Sequence, residues 1–248
     1  IRVEATDMLL ESDKLNDENL LPELEQNFRG SLNVLDVLPS LNMTLKLAEQ
    51  DLKVTNYRFS ASQSVARPLF REKAPFSVFD FEIQEQQTGN TALNRTKILN
   101  IDNRIEVFPG LRELLSLSVF YKHFTDPIEQ VIISTAANTE ITWKNVESAQ
   151  LYGIEFEAKK NLGFLSEKLS ALNAAFNATY IQSATSIAED ELLEIRATDP
   201  DHEETRPMYG QAPYIINGIL NYSNDSIGFN VNAGFNISGP KLVLITPG

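Results

Sequence analysis

Hydrophobic and polar residues alternate along most of the chain. In residues 227–238, apolar side chains occupy one parity and Asn, Gly and Ser occupy the other. A period of two predicts a β-strand with one apolar face and one polar face. A polar strand face in bulk water usually carries charged residues and threonine. The small polar residues found here therefore indicate a polar face that is crowded or enclosed.

The same alternation recurs in other segments, so it describes the architecture and not one strand. It runs through 41–47, 56–65, 115–122, 152–159 and 172–180. Many of these runs approach ten residues, longer than the roughly 5 to 6 residues of a typical globular strand. Residues 1–5 are also strand-like, and about nine or ten strands can be recognised in total.

The connections between the strands alternate in length. Short ones lie at 48–51, 109–112, 163–168 and 223–225, and long ones at about 6–33, 66–95, 126–142 and 183–212. An up-and-down sheet places alternate connections on opposite rims, and outer-membrane barrels have short periplasmic turns and long outer loops. Greek-key crossings in a soluble β-sandwich would put long loops at both ends. The pattern predicts an all-β, antiparallel, up-and-down transmembrane β-barrel, with the soluble sandwich as the alternative.

Composition narrows the possible classes. The chain contains no cysteine, which excludes a disulfide framework and thiolate metal ligands. Its uncharged apolar stretches are far shorter than the roughly 20 residues of a membrane-spanning helix. No signal peptide, linker or low-complexity run is recognisable. Residues 1–248 are therefore expected to form a single domain, and the chain is expected to be a fragment.

The net charge of −13 is concentrated in two of the long connections. Residues 6–30 hold seven acids and two bases, and residues 185–206 hold eight acids and two bases, which together supply −11. The strands are nearly neutral. A nucleic-acid-binding protein would carry a basic stripe, so DNA and RNA are not expected partners. Acidic loops favour cationic ligands or, through divalent ions, lipopolysaccharide phosphates.

A series of short motifs follows the strands in a fixed order. They are 38–45, 57–62, 66–68 with 70–72 and 74–76, 89–93 with 100–106, 120–122 with 127–129, 152–155, and 210–217. Together they resemble the C-terminal barrel portion of TonB-dependent outer-membrane receptors, in the style common among Bacteroidetes. Thr91 departs from the pattern, because proline is usual there.

The resemblance implies a barrel of around 22 strands, the size of plugged transporters, of which this chain supplies part. The family's plug domain, TonB box and closing strands are not recognisable within residues 1–248. The implied function is active, TonB-coupled uptake of a siderophore, vitamin, glycan or peptide across the Gram-negative outer membrane, without enzymatic chemistry or a cofactor.

The implied partners are the TonB energy-coupling complex, acting through the plug, outer-membrane lipid and lipopolysaccharide, and a surface lipoprotein. Three alternatives stay open at this point. They are a soluble β-sandwich binding or adhesin module, a passive porin that shares the barrel but lacks a plug, and an outer-membrane barrel enzyme.

Four residues in the long connections are candidates for contact with ligand, namely Arg67, Arg71, Trp143 and Tyr209. Arg67 lies where a strand becomes a long loop, and its alternative role is to pair with a wall carboxylate. Trp143 and Tyr209 could stack on a ligand or belong to the aromatic girdle at the membrane interface. We favour the structural role for Arg67 and the girdle for the two aromatic residues.

Two groups of charged residues raise further possibilities. Asp199, Asp201 and Glu203 surround His202 and could take a hard cation, but their spacing fits no EF-hand, so no metal is assigned. Inward charges could line a substrate route or pair with one another to brace the wall, and we favour the pairing. They are Arg58, Asp102, Arg104, Glu106, Glu155, Glu157 and Lys159.

Overall fold

The computed structural model describes residues 1–11, 29–51, 53–81, 85–134, 139–224 and 226–242. Long antiparallel strands dominate it. The strands are β1 (Arg2–Glu11), β2 (Arg29–Leu38), β3 (Ser40–Gln50), β4 (Lys53–Ala66), β5 (Ser77–Asp80), β6 (Glu85–Thr88), β7 (Thr96–Phe108), β8 (Leu114–Thr125), β9 (Ile128–Ser134), β10 (Thr139–Asn145), β11 (Ser148–Asn161), β12 (Leu172–Ser186), β13 (Thr205–Arg206), β14 (Tyr214–Asn224) and β15 (Phe229–Ser238). The helices are α1 (Phe70–Lys73) and α2 (Glu189–Thr198), with two 3-10 turns at Leu162–Phe164 and Glu167–Leu169.

Eight long strands form one meandering sheet, which we call the wall. Their order is β3, β4, β7, β8, β11, β12, β14 and β15. The short β13 pairs with the C-terminal end of β12. Neighbours in the sheet are neighbours among the long strands of the chain, so the topology is up-and-down. The sheet is open in the described residues, with β3 and β15 at its two edges. Two smaller sheets, β1 with β2 and β5-β6-β10-β9, complete the fold.

The register sorts the side chains of the wall onto two faces. One level of the outward face passes through Phe59, Asn103, Val119, Ile154, Tyr180 and Tyr214 on successive strands. The neighbouring level of the inward face passes through Arg58, Arg104, Ser118, Glu155, Thr179 and Ile215. The outward face is apolar with few exceptions, and one of these, Asn103, accepts a 2.7 Å hydrogen bond from the Tyr57 hydroxyl.

The apolar side chains of the outward face are exposed. Leu45, Leu117, Ile154 and Phe235 are examples on four different strands. A water-soluble sheet buries such a face against a second layer, and no second layer covers this one in the described part of the chain. The arrangement fits a wall whose apolar face lies in lipid and whose polar face lines the barrel interior. The two faces predicted for β15 are confirmed, since Asn232 and Asn236 lie together with their register partners Asn221 and Asn217 on the polar face.

All short turns lie at one end of the wall and all long connections at the other, as predicted. The β4–β7 connection begins after Ala66 and ends before Thr96, close to the predicted limits. The first long connection was predicted too long, because β1 continues to Glu11 and β2 resumes at Arg29. Most of the acidic run at 6–30 lies outside the described residues. The strands within the long connections were missed, since segments of two to seven residues offer too little alternation to recognise. No described helix is long and apolar enough to cross a bilayer.

Candidate functional site

Charged side chains on the inward face form a paired network across four strands. Arg58 on β4 donates to Glu106 on β7 at 2.8 Å, and Arg104 donates to the other oxygen of Glu106 at 2.8 Å. Arg104 also reaches Glu157 on β11 at 2.9 Å, and Lys159 completes the chain at 2.8 Å from Glu157. The predicted mutual pairing of inward charges is found for these five residues. Such a network braces the wall, because each carboxylate has two cationic partners.

An amide ladder continues this network across the remaining strands. Asn236 on β15 donates to Asn217 on β14, and Asn217 donates to Asn177 on β12 at 3.4 Å. Asn177 then donates to Glu155 on β11 at 2.6 Å. Asparagine serves here because one amide can donate to one neighbour and accept from the other. The small polar residues of the enclosed face are therefore cross-strand connectors.

The long connections pack together above one end of the wall and form what we call the loop layer, made of the described parts of 67–95, 126–147 and 187–213. The β9–β10 hairpin continues the β8–β11 pair, and β10 pairs in parallel with β6 of the preceding connection. The layer has a small apolar core that includes Leu93, Val131, Ile141, Val146 and Ile187. The connections are thus packed against one another like a small water-soluble domain.

A buried ion-pair triad joins two of these connections. Arg206 on β13 donates to Glu129 on β9 at 2.8 Å and also to Glu191 on α2. The side chains of Arg206 and Glu129 are only 12% and 5% exposed. Burial raises the pKa of Glu129 and outweighs the opposing effect of Arg206. Burial opposes the charge of Arg206, but its two carboxylate partners outweigh burial, so the pKa of Arg206 is raised.

The β4–β7 connection is held by a buried lysine. Lys73, at the end of α1, donates to the carbonyls of Thr91 and Leu93, each at 2.6 Å. Burial lowers the pKa of this ammonium group. Gly89 allows its backbone to lie close to the backbone of Ala74, since a Cβ at position 89 would lie 2.2 Å from the Ala74 carbonyl oxygen. The motifs at 70–76 and 89–93 therefore form a single folded unit.

Arg67 lies among the carboxylates of the first two strands. It donates to Glu4 at 2.6 Å and to Thr6 at 2.5 Å. It also lies 3.7 Å from Asp36, whose main partner is Arg95 at 2.5 Å. Arg67 therefore pairs with carboxylates, which is one of the two roles predicted for it from the sequence.

The other three candidate ligand residues lie apart from Arg67 in the loop layer. Arg71 is exposed on α1 and reaches Asp80 at 3.3 Å. Trp143 is half-buried on β10, and its carbonyl accepts a 2.8 Å hydrogen bond from Asn90. Tyr209 is exposed on the segment between β13 and β14. The structure does not bring the four together in one pocket.

The acidic loop at 199–204 is exposed. Asp199 pairs with His202 at 3.1 Å, and Glu204 pairs with Arg196 at 3.3 Å. Within the described ranges, no group of three or more His, Cys, Asp and Glu side chains is placed to hold a metal ion. The arrangement leaves this loop a solvated, internally paired surface.

A row of tyrosines on the outward face was not recognised as a row from the sequence. It consists of Tyr121, Tyr152, Tyr180 and Tyr214, on four successive strands. Gln182 links two of them, accepting from Tyr152 at 2.5 Å and donating to Tyr180 at 3.2 Å. Tyrosine concentrates at membrane–water interfaces, so the row marks the boundary between the apolar band and the loop layer. The available signal was that a tyrosine ends the apolar parity of each of these strands on the loop side.

The match to a known protein family covers the stretch of the chain that contains the motifs. A family model described as "TonB dependent receptor-like, beta-barrel" matches residues 12–241. No curated protein matches the chain.

Solved structures of similar shape are named as siderophore receptors or ferric enterobactin receptors. The siderophore receptor PirA from Pseudomonas aeruginosa aligns with a TM-score of 0.55 and 17% identity over 85% of this chain and 36% of that one. PirA from Acinetobacter baumannii gives 0.54 and 18% over 84% and 30%. The ferric enterobactin receptor PfeA from Pseudomonas aeruginosa gives 0.52 and 16% over 85% and 29%. The chain thus spans about a third of the length of these proteins, and at this identity the likeness concerns the fold.

Proposed function

Because the chain belongs to the TonB-dependent receptor family, in its β-barrel part, we propose that it forms the wall and outer loops of a receptor for active uptake of a scarce ligand. The family's members are outer-membrane transport receptors of Gram-negative bacteria and not enzymes. The full protein would bind its ligand at the loop layer and pass it through the barrel when the TonB complex pulls on the plug. Residues 1–248 would be one domain of a barrel of around 22 strands.

One observation carries this proposal, namely the opposite chemistry of the two wall faces. The outward face exposes apolar side chains below a tyrosine row, and the inward face carries the ion-pair network and the amide ladder. A soluble sandwich would bury one face against a second sheet. A passive porin would share both wall faces, so the distinction from a porin rests on the family and on energy coupling.

The ligand class is proposed from the receptors that share the fold. Three of them are named for siderophores or ferric enterobactin, so a ferric siderophore is the first candidate, ahead of a vitamin, glycan or peptide. Arg71 and Tyr209 are the candidate contacts with the most accessible side chains. Arg67 is largely occupied by its acidic partners. Lipopolysaccharide and a surface lipoprotein are proposed as further partners of the full protein.

Uptake in cells tests the proposal directly. A strain lacking its own uptake receptors would express the complete protein and be offered ferric enterobactin, cyanocobalamin, a maltooligosaccharide or an oligopeptide, each as sole source of the limiting nutrient. We expect growth on one of them that stops when the TonB gene is deleted. Growth that persists without TonB would identify a porin. The absence of growth on all four would contradict the proposed uptake of these ligand classes.

A further inference from the structure

A groove lies on the outward face of the wall at the level just above the tyrosine row. It has a volume of about 410 Å³ and is lined by residues of β2 and of the loop-side ends of β4, β7 and β8. Its lining on the outward parity of the wall consists of Gln63, Val65, Lys97, Leu99, His123 and Thr125, and β2 contributes Leu35 and Val37. His123 follows Tyr121 by one step of the outward parity, so the groove lies at headgroup height.

One basic side chain of the groove has no carboxylate partner among the described residues. The only acid in its lining, Asp36, is buried and held by Arg95 at 2.5 Å. Lys97 is exposed, and no carboxylate of the described chain lies within ion-pair distance of it. His123 is half-buried beside Leu99, its register partner. In a chain of net charge −13, Lys97 gives this outward groove a local positive charge, and the His123 imidazole on the neighbouring strand adds a hydrogen-bond donor.

We propose that this groove binds a phosphorylated lipid of the outer leaflet, with the lipid phosphate on Lys97 and His123. Phosphate is the complement of this site because an ammonium group and an imidazole N–H can both donate to its oxygens. The inference rests on the outer-membrane location in the proposed function and is independent of which ligand is transported.

The apolar side chains of the groove favour a lipid over a free anion. Leu35, Val37 and Leu99 are all exposed beside the two polar groups, and they continue downward into the apolar band. A lipid can place its phosphate on Lys97 and an acyl chain along these residues. Inorganic phosphate would gain only the polar contacts.

Native mass spectrometry of the complete protein in detergent tests the assignment. Bis-phosphorylated lipid A is expected to bind with an affinity at least about tenfold higher for the unaltered protein than for the double variant Lys97→Gln with His123→Gln. Lys97→Arg keeps the charge and should retain most of the binding. Lys53→Gln is the matched control, because Lys53 is an exposed lysine at the opposite end of the wall.

Several outcomes would overturn the proposal. They are equal binding of dephosphorylated lipid A, competition by inorganic phosphate at the lipid's own concentration, and equal loss of binding in the Lys53→Gln control. Heat-modifiable migration on gels would verify that each variant is folded. A negative lipid result with normal TonB-dependent growth would leave the uptake function intact, so the two failures are distinguishable.

Discussion

The wall and the loop layer place their apolar and charged side chains in opposite ways. In the loop layer, Ile141 and Leu93 are buried and charged side chains such as Asp199 and Glu203 are exposed. In the wall, the apolar face is exposed and the charged groups are collected on the other face in hydrogen-bonded rows. The difference follows from the solvent, because lipid replaces a second protein layer for the wall and water surrounds the loops. One chain therefore folds against two solvents, and the tyrosine row lies at their boundary.

The ion pairs of the two regions differ in the same way. In the Arg206 triad, Arg206 and Glu129 are 77 residues apart in the chain, and both side chains are nearly dry. The Arg104 network joins neighbouring strands that backbone hydrogen bonds already hold, and Arg104 is only half-buried. A buried pair is costly to break because the remaining charge has no water to replace its partner. The comparison therefore predicts a large effect in the loop layer and a small one in the wall.

The same substitution in both places tests that contrast. Arg206→Met should destabilise the loop layer by about 3–5 kcal/mol, since Glu129 and Glu191 lose their buried partner. Arg104→Met should destabilise the wall by only about 1 kcal/mol, because Glu106 and Glu157 each keep a second cationic partner, Arg58 or Lys159. Hydrogen exchange of 126–147 and 187–213 would detect the first effect, and urea unfolding in vesicles the second. Equal effects would show that the two networks are buried to the same degree.

A second pair of variants tests the assignment of solvents. Leu117 on β8 is 46% exposed and Leu193 on α2 is 67% exposed, so both would count as surface residues in water. Leu117→Arg should destabilise the protein by about 2–4 kcal/mol, because position 117 lies four residues below Tyr121 of the tyrosine row, within the lipid-facing band. Leu193→Arg should change stability by less than about 0.5 kcal/mol.

Folding yield into vesicles and urea titration would measure both variants. Leu117→Val serves as the control for a change of side-chain volume without a charge. A tolerated arginine at position 117 would mean that the outward face of β8 is in contact with water or protein, and the membrane assignment of that face would fail.

The wall could be predicted from the sequence because its rule is local. The parity of Phe229 and Asn230, repeated over ten residues, is sufficient to define a strand and its two faces. The loop layer could not be predicted in this way, since its contacts join residues such as Glu129 and Arg206 that no period relates. For the candidate ligand residues, the sequence indicated that Arg67, Trp143 and Tyr209 lie at rims and loops, but their separation depends on how three connections pack. The tyrosine row required the register, because only the register places Tyr121 beside Tyr152.

The smallest expected effect is a pH dependence confined to the loop layer. The pKa of Glu129 is raised in the folded protein, mainly by burial, so the folded layer binds this proton more tightly than the unfolded one. The contribution of that proton to stability is fully present below the ordinary carboxyl pKa and is lost as the pH rises through the raised value. Hydrogen-exchange protection of β9 and α2 should therefore decrease as the pH rises above the ordinary carboxyl pKa, after correction for intrinsic exchange rates. Glu129→Gln keeps an oxygen that can accept from Arg206 but cannot ionise, so it should flatten this profile and change protection by no more than about 1 kcal/mol.

Glu113→Gln, at the opposite end of the wall where Glu113 pairs with Lys160, should leave the profile of β9 and α2 unchanged. If Glu129→Gln kept the full pH dependence, another group would be responsible, and the burial of Glu129 would have no measurable consequence for the loops.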